Sequence, residues 1–146
     1  MCQVEITRIM ARVMTVAMFA LSGVTPALAA EDIHTLNEQA VQLSNQGKYA
    51  EAVAVARRAL SLAEKALGPS HSHTLTIVNN LGMFYSAQGR FSEAEPLYNR
   101  ALKGTEAAMG PAHPSTLITV NNLAALYQNL GARPLYRGGG WLQLER

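Results

Sequence analysis

The chain repeats its own sequence at an interval of 42 residues. The stretch VNNLGMFYSAQG ends at Gly89, and VNNLAALYQNLG ends at Gly131, 42 positions later. When residues 47–89 are aligned with residues 89–131, further pairs coincide: Glu51 with Glu93, Ala52 with Ala94, Gly68 with Gly110, His71 with His113 and Tyr85 with Tyr127. A fixed period of about 20–50 residues is typical of stacked units, none of which can bury its apolar face alone. The repeat therefore predicts an array of such units.

Each unit begins with a segment that has the pattern of an amphipathic helix. In residues 72–88, apolar and small residues fall at spacings of three and four: Leu75, Val78, Leu81, Gly82 and Tyr85. This spacing places them on one face of a helix, and Gly89 follows where a glycine commonly ends a helix. By the same reasoning, first helices are predicted at about 32–46 and 114–130.

A second helix follows in each complete unit, at about 50–67 and 92–109. Ser92 is a plausible N-cap for the later helix, with Glu95 as its capping-box partner. Gly68 and Gly110, each followed by proline, end these helices and turn the chain. Small residues recur where two helices must approach closely, among them Gly82, Ala52, Ala59, Ala94, Ala101 and Ala124.

Length and composition agree with a helical protein of one domain. The chain has 146 residues, of which 49% are hydrophobic and 15% are charged. Such a composition suits a globular chain and not a disordered one. We expect an all-α fold of about two and a half repeats, at about 31–68, 69–110 and 111–131. Residues 132–146 lose the pattern and contain three consecutive glycines, so an irregular or disordered tail is expected there.

Residues 1–30 have the pattern of a secretory signal peptide. Arg8 and Arg12 precede a short apolar run, and small residues lead up to Ala30. The run is near 12 residues, whereas a membrane-spanning helix needs about 20. An N-terminal anchor or a buried helix is the alternative, and Met10 is an alternative start. We expect a secreted or periplasmic protein that meets the membrane only transiently, through this segment.

The repeated residues carry a resemblance to a known family. The order Leu81-Gly82-x-x-Tyr85, followed by Gly89, Ala94, Tyr98 and Ala101, is similar to the tetratricopeptide repeat. The 42-residue period and the segments NNLA, EAEPLYNRAL and GPAHPSTL resemble its kinesin-light-chain-like branch, which is common in bacteria. The resemblance implies a right-handed superhelix of antiparallel helix pairs. It also implies a concave groove, lined by the first helices, that binds peptides or protein segments without catalysis.

Adjacent asparagines recur within the first helices. Asn79-Asn80 returns as Asn121-Asn122, and Asn37-Glu38 holds the place in the first unit. Asparagine is a middling-to-poor helix former, so something must offset its cost. In repeats of the family that this chain resembles, the side that carries Asn80 faces the groove.

An amide both donates and accepts hydrogen bonds, so it can pair with the backbone of a bound peptide. We therefore expect the partner-binding residues to be Asn80 and Asn122 first, with secondary roles for Asn79, Asn121, Met83 and Glu38. The alternative is that these amides bond to the adjacent repeat and order the stack.

Other functional classes find little support. The net charge is +2, and no basic cluster interleaves with aromatic residues, so no nucleic acid is expected. His71 and His73 form an H-x-H pair, but the set of metal ligands is incomplete, and His71 and His113 more plausibly serve equivalent turns. No catalytic or phosphate-binding motif is present, so neither enzymatic activity nor a cofactor is expected.

The third repeat is incomplete in the sequence. After Gly131 the chain reads ARPLYRGGGWLQLER in place of a second helix. Arrays of this kind need about three repeats and a polar cap. We expect marginal stability, together with self-association or a partner at this uncapped end. The alternative is a truncated relic of a longer array.

Overall fold

The computed structural model describes residues 26–131, 134–137 and 140–143. Five helices fill the first of these ranges. They are α1 (Pro26–Asn45), α2 (Tyr49–Ala66), α3 (Ser72–Ala87), α4 (Phe91–Met109) and α5 (Pro114–Asn129). Two short strands follow, β1 (Pro134–Arg137) and β2 (Gly140–Gln143). The all-α prediction for the repeats is confirmed.

The helices pack in chain order as successive hairpins. α1 packs on α2, and α3 packs on α4. The pairs then stack, with α2 against α3 and α4 against α5. Short connections make consecutive helices antiparallel. As a result, the first helices α1, α3 and α5 lie side by side along one side of the stack.

The boundaries of α2 to α5 lie within one residue of those expected from the pattern, whereas α1 begins earlier. It starts at Pro26, and was expected at about residue 32. The first 25 residues of the predicted signal peptide lie outside the described residues, and residues 26–30 are helical. Export therefore stays a prediction. None of the described helices is long and apolar enough to cross a membrane.

Glycines end the helices as the sequence predicted. Gly47, Gly89 and Gly131 have φ of 76°, 73° and 69°, in the left-handed region that favours glycine. After α3, the Gly89 amide donates to the Ser86 carbonyl at 2.9 Å, and the Arg90 amide donates to the Tyr85 carbonyl at 3.0 Å. These two bonds form a Schellman motif, which satisfies carbonyls that the helix end leaves free.

The capping box predicted at Ser92 is wrong. α4 begins at Phe91, and its N-cap is Arg90, which makes no side-chain capping bond. The Arg90 guanidinium instead bonds to the Glu93 carboxylate. Arg90 is both the last residue of the Schellman motif and the N-cap of α4. Ser92 therefore lies inside the helix. Glu95 accepts a hydrogen bond from the Tyr127 hydroxyl at 2.7 Å, which ties α4 to α5.

The core runs along the stack between first and second helices. One buried cluster joins residues of all five helices, from Ala40 in α1 through Tyr98 in α4 to Tyr127 in α5. Alanines of the second helices are fully buried at Ala52, Ala56, Ala59, Ala63, Ala94 and Ala101. Small side chains at these places allow the helix axes to approach, as the sequence indicated.

The chain after α5 differs from the expectation of an irregular tail. β1 and β2 pair antiparallel, with Leu135 opposite Leu142 and Arg137 opposite Gly140. The tail is therefore not irregular over these eight residues, which form a hairpin. A lone two-stranded hairpin is marginal in water, and β1 lies against α5.

Candidate functional site

Two cavities lie along the row of first helices. One, of about 520 Å³, lies between α1 and α3 and is lined in part by His34, Asn37 and Thr76. The other, of about 150 Å³, lies between α3 and α5 and is lined in part by Thr76, Asn79, Asn80 and Ile118. Thr76 borders both cavities, so they adjoin each other along the row of first helices. We call the surface formed by Asn37, Thr76, Asn79, Asn80 and Ile118 the first-helix groove.

The asparagines join neighbouring repeats across this groove. Asn80 Nδ2 donates to Asn37 Oδ1 at 3.0 Å, and Asn122 Nδ2 donates to Asn79 Oδ1 at 3.1 Å. Each bond spans 43 residues in sequence, one more than the repeat period. The second position of an asparagine pair therefore donates to the first position of the preceding repeat. We call this row of amides the asparagine ladder.

The ladder is the arrangement that the sequence left as the alternative, in which the amides bond to the adjacent repeat. It does not use all of their hydrogen-bonding capacity, because a primary amide has two donors and an acceptor oxygen. Asn79, Asn80 and Asn122 are only half-buried. Each ladder bond fixes the orientation of an amide whose remaining donor or acceptor can still meet a ligand.

The two ends of the ladder differ. At the first repeat, Glu38 holds the donor position and is exposed, and its carboxylate lies 3.7 Å from His34 Nδ1. At the third repeat, Asn121 holds the acceptor position and is also exposed. Within the described part of the chain, no residue donates to the Asn121 side chain. Asn121 is therefore the ladder residue that is most open to an external ligand.

The other predicted residue, Met83, is 38% exposed and lies one turn after Asn80 on α3. Sequence reasoning missed Ile118, which is 56% exposed and lines the smaller cavity. Ile118 lies 42 residues after Thr76, so the repeat period could have identified it. From the sequence alone, an isoleucine on an exposed helix face could line a groove or belong to the uncapped end.

The groove carries almost no charge. Among the described side chains that line the two cavities, none belongs to Asp, Glu, Lys or Arg. Apart from Glu31, Asp32 and Glu38 of α1, the charged residues of the five helices lie on the second helices. There, Arg100 Nη2 of α4 is 2.6 Å from Glu64 Oε1 of α2. The two cavities thus offer mainly apolar surface together with neutral amides and hydroxyls; the apolar lining residues are Ile33, Leu67, Ile77, Leu75, Met109 and Ile118.

The histidines serve the turns, as the sequence indicated. His71 Nδ1 accepts from the His73 amide, and His113 Nδ1 accepts from the Ser115 amide, both at 3.2 Å. These side chains cap α3 and α5. The part of the chain that the structure describes contains no group of three potential metal ligands.

Comparisons with solved structures confirm the fold. BtubC (BKLC) from P. vanneervenii superposes with a TM-score of 0.65 at 22% identity, over 84% of this chain and 48% of that one. A kinesin light chain of Podosopora anserina with nearly identical TPR-like repeats superposes with a TM-score of 0.62 at 26% identity, over 68% of this chain and 47% of that one. The chain thus spans about half the length of each. No curated protein matches it in sequence.

A family model described as tetratricopeptide repeat matches residues 31–107 and 73–133. The two matched segments together cover the helical hairpins and most of the chain. Repeats of this family generally mediate protein–protein interaction, and the proteins that carry them are generally non-catalytic scaffolds. With its 42-residue period and helical hairpins, this chain belongs to the tetratricopeptide repeat family and has the kinesin-light-chain-like form of the repeat.

Proposed function

We propose that the protein is a non-catalytic scaffold whose first-helix groove binds an extended peptide or protein segment. The asparagine ladder is the observation that carries this proposal. It places half-buried amides in a row along the stack and fixes their orientation before a ligand arrives. Preorganisation of this kind lowers the entropy lost on binding.

The chemistry of the groove favours a segment that is recognised through its backbone. Primary amides can pair with the carbonyl and amide groups of any peptide. The cavities lack charged side chains, so we expect little preference for an acidic or basic ligand. Ile118 and Met83 add apolar surface that favours small apolar side chains on the ligand.

The first test uses peptides as the probe. A phage-displayed library of unstructured peptides is selected on the immobilised protein, and enriched sequences are synthesised and titrated by fluorescence anisotropy. Asn121→Ala should weaken binding about fivefold, which corresponds to one hydrogen bond of about 1 kcal/mol. It should not change the stability, because Asn121 is exposed and has no partner among the described residues.

Asn99→Ala provides the matched control, since Asn99 lies on α4, outside the first-helix groove. It should leave the affinity unchanged. Asn80→Ala and Asn122→Ala should weaken binding and also lower the unfolding midpoint, because each variant breaks a ladder bond. If no peptide is enriched, or if Asn80→Ala, Asn122→Ala and Asn121→Ala all bind like the wild type, the groove is not the binding site.

We also propose that the protein is exported, from the pattern of residues 1–30. The region matched by the family model starts at residue 31, which supports a boundary at that point. Expression in a bacterium with an intact secretory pathway, followed by mass spectrometry of the product, tests this. A mature N-terminus at Ala30 or Glu31 is expected in the exported fraction, whereas an uncleaved chain in the cytoplasm would contradict it.

Self-association through the uncapped end is the second candidate function. It is favoured by exposed apolar side chains on and after α5, with Leu117 at 53%, Ile118 at 56% and Leu130 at 45%. Light scattering over a range of concentrations tests it. A mass that rises with concentration supports self-association. A monomer at all concentrations contradicts it, and is the result expected if the end binds another partner or if the chain is a truncated relic.

A further inference from the structure

One face of α5 is open where the same face of α3 is covered. Leu75, Val78 and Gly82 of α3 are buried, with Leu75 2% exposed. Their counterparts 42 residues later are Leu117, Val120 and Ala124. Leu117 is 53% exposed, and the other two are half-buried. We call Leu117, Val120 and Ala124 the end face.

The second helix of the repeat is what covers this face on α3. A Cβ atom placed on Gly82 would lie 2.9 Å from Tyr98 Cε1, and one placed on Gly104 would lie 2.5 Å from Leu75 Cδ2. Both contacts are closer than ordinary van der Waals distance. α4 therefore lies against α3 with a glycine at two points of contact, and the internal repeat shows what kind of element fits the end face.

The two complete repeats fill the centre of this face in different ways. In the second repeat, Gly82 lies against the Tyr98 ring. In the first repeat, the equivalent positions hold Ala40 and Ala56, which are both fully buried in the same cluster. The repeat that has alanine at this position of its first helix thus also has alanine, and not tyrosine, at the facing position of its second helix. The third repeat has Ala124 at this position, so it requires a small residue opposite.

We propose that the end face binds, in trans, an amphipathic α-helix of another protein, in the place of the missing second helix. The bound helix is antiparallel to α5 and carries alanine or glycine opposite Ala124. Its other buried positions follow the spacing of Ala52, Ala56, Ala59 and Ala63, at intervals of four, three and four residues. This is helix-in-groove recognition, in which one stripe of the ligand enters the surface.

A second copy of the chain is poorly suited to this role. Its helices of the required type, α2 and α4, already bury their small-residue stripes against their own first helices. Ala52, Ala59, Ala94 and Ala101 are all 0% exposed. Releasing one of them would open the core of the donor. The bound helix therefore comes from a protein in which its small-residue stripe is not already packed against another helix.

The test uses the full chain and, as the probe, a synthetic peptide with the sequence of α2, residues 49–66, that carries Leu62→Gly, because position 62 is the counterpart of Gly104, which faces Leu75. We call it the wild-type peptide, since its position 56 is unchanged. The peptide should bind with a dissociation constant in the micromolar range in a fluorescence anisotropy titration. The peptide carrying Ala56→Tyr should bind at least about tenfold more weakly, although it is more apolar, because the ring meets the Ala124 methyl. A general hydrophobic contact would give the opposite order.

Three variants of the protein locate the binding surface. Leu117→Gln should weaken binding of the wild-type peptide about tenfold, because it removes an apolar anchor from the end face. Leu62→Gln is the matched control, because Leu62 is 40% exposed but lies on α2, away from the end face. It should leave the affinity unchanged. Met83→Gln should also have no effect, so a failure of groove binding is distinguishable from a failure here.

A complementary substitution gives the sharpest readout. Ala124→Gly recreates the glycine of the second repeat, so it should restore binding of the Ala56→Tyr peptide to within about threefold of the wild-type pair. Circular dichroism checks that each variant is folded. The proposal is overturned if neither peptide binds at about 1 mM, if Leu117→Gln binds normally, or if Ala124→Gly rescues nothing. A dimer at low micromolar concentration that Leu117→Gln dissociates would assign the face to a second copy.

Discussion

Two asparagines inside a helix cost a few tenths of a kcal/mol each relative to alanine, and the structure shows a compensating interaction. Asn80 bonds to Asn37, and Asn122 bonds to Asn79, in each case between half-buried groups of adjacent repeats. A hydrogen bond of this type contributes about 0.5–1.5 kcal/mol. The repetition of Asn-Asn predicted a common role for these residues. It did not predict the one-residue offset, which arises because adjacent positions of a helix point about 100° apart, so that the second asparagine of a pair faces the preceding repeat and the first faces the following one.

Tyr98 is a residue whose burial has a measurable consequence. Burial raises the pKa of Tyr98 to about 12, while a hydrogen bond with Ser86 acts in the opposite direction. A tyrosine in the unfolded chain has a pKa of about 10. The folded state therefore favours the neutral phenol. The stability that Tyr98 contributes is fully present below about pH 10 and is lost as the pH rises towards 12.

We expect Tyr98→Phe to change this dependence on pH. The midpoint of urea unfolding should fall between about pH 10 and pH 12 for the wild type, and should fall less for the variant, which has no ionisable group at this position. Circular dichroism at a series of pH values measures both. Equal losses for the two proteins would mean that other groups dominate the alkaline transition.

At the scale of elements, the close approach of α3 and α4 decides which substitutions the hairpin tolerates. Gly82 is a helix-interior glycine, which by propensity alone costs about 1 kcal/mol relative to alanine. The Tyr98 ring occupies the space that a side chain would need. The LG-x-x-Y pattern and the recurring alanines predicted this crossing. The start of α4 was less predictable, because the backbone bonds after α3, and not the polarity of Ser92, determine where that helix begins.

We expect Gly82→Ala to destabilise the protein by about 1–3 kcal/mol, because the overpacked crossing outweighs the gain in helix propensity. Tyr98→Ala alone should cost about 3–5 kcal/mol, through loss of a buried ring. The double variant reproduces the Ala40–Ala56 arrangement of the first repeat, so its cost should be smaller than the sum of the two. Denaturant unfolding measures all three, and strict additivity would contradict direct contact between these positions.

At the scale of the whole molecule, the stack is open on one side of the third repeat. α5 is covered by α4 on one side, through buried Leu123, Leu126 and Tyr127. The end face is open on the other. Gly131 has the same left-handed conformation as Gly47 and Gly89, which lead into second helices. α5 therefore ends in the same backbone conformation as α1 and α3.

We expect a second helix grafted at this point to stabilise the protein. In this variant, residues 132–146 are replaced by residues 48–66 with the change Leu62→Gly, so that an α2 sequence follows Gly131 and a glycine, as at Gly104, faces Leu117. Burial of Leu117 should raise the unfolding free energy by at least about 1 kcal/mol and the thermal midpoint by about 4–8 °C. The same graft with tyrosine in place of Ala56 should gain less. An unchanged midpoint would show that the end face does not accept a helix of this type.

The sequence by itself determined the repeat, the helices, their glycine ends and the small residues at the crossings. These features depend on local propensity and on a pattern that the chain repeats at a spacing of 42 residues. Only the tertiary structure decided that the asparagines join neighbouring repeats, that Thr76 and Ile118 share a groove, and that Leu117 is exposed while Leu75 is covered. These outcomes depend on which helix lies beside each face of a first helix. Residues with the same pattern, 42 positions apart, thus acquire different environments.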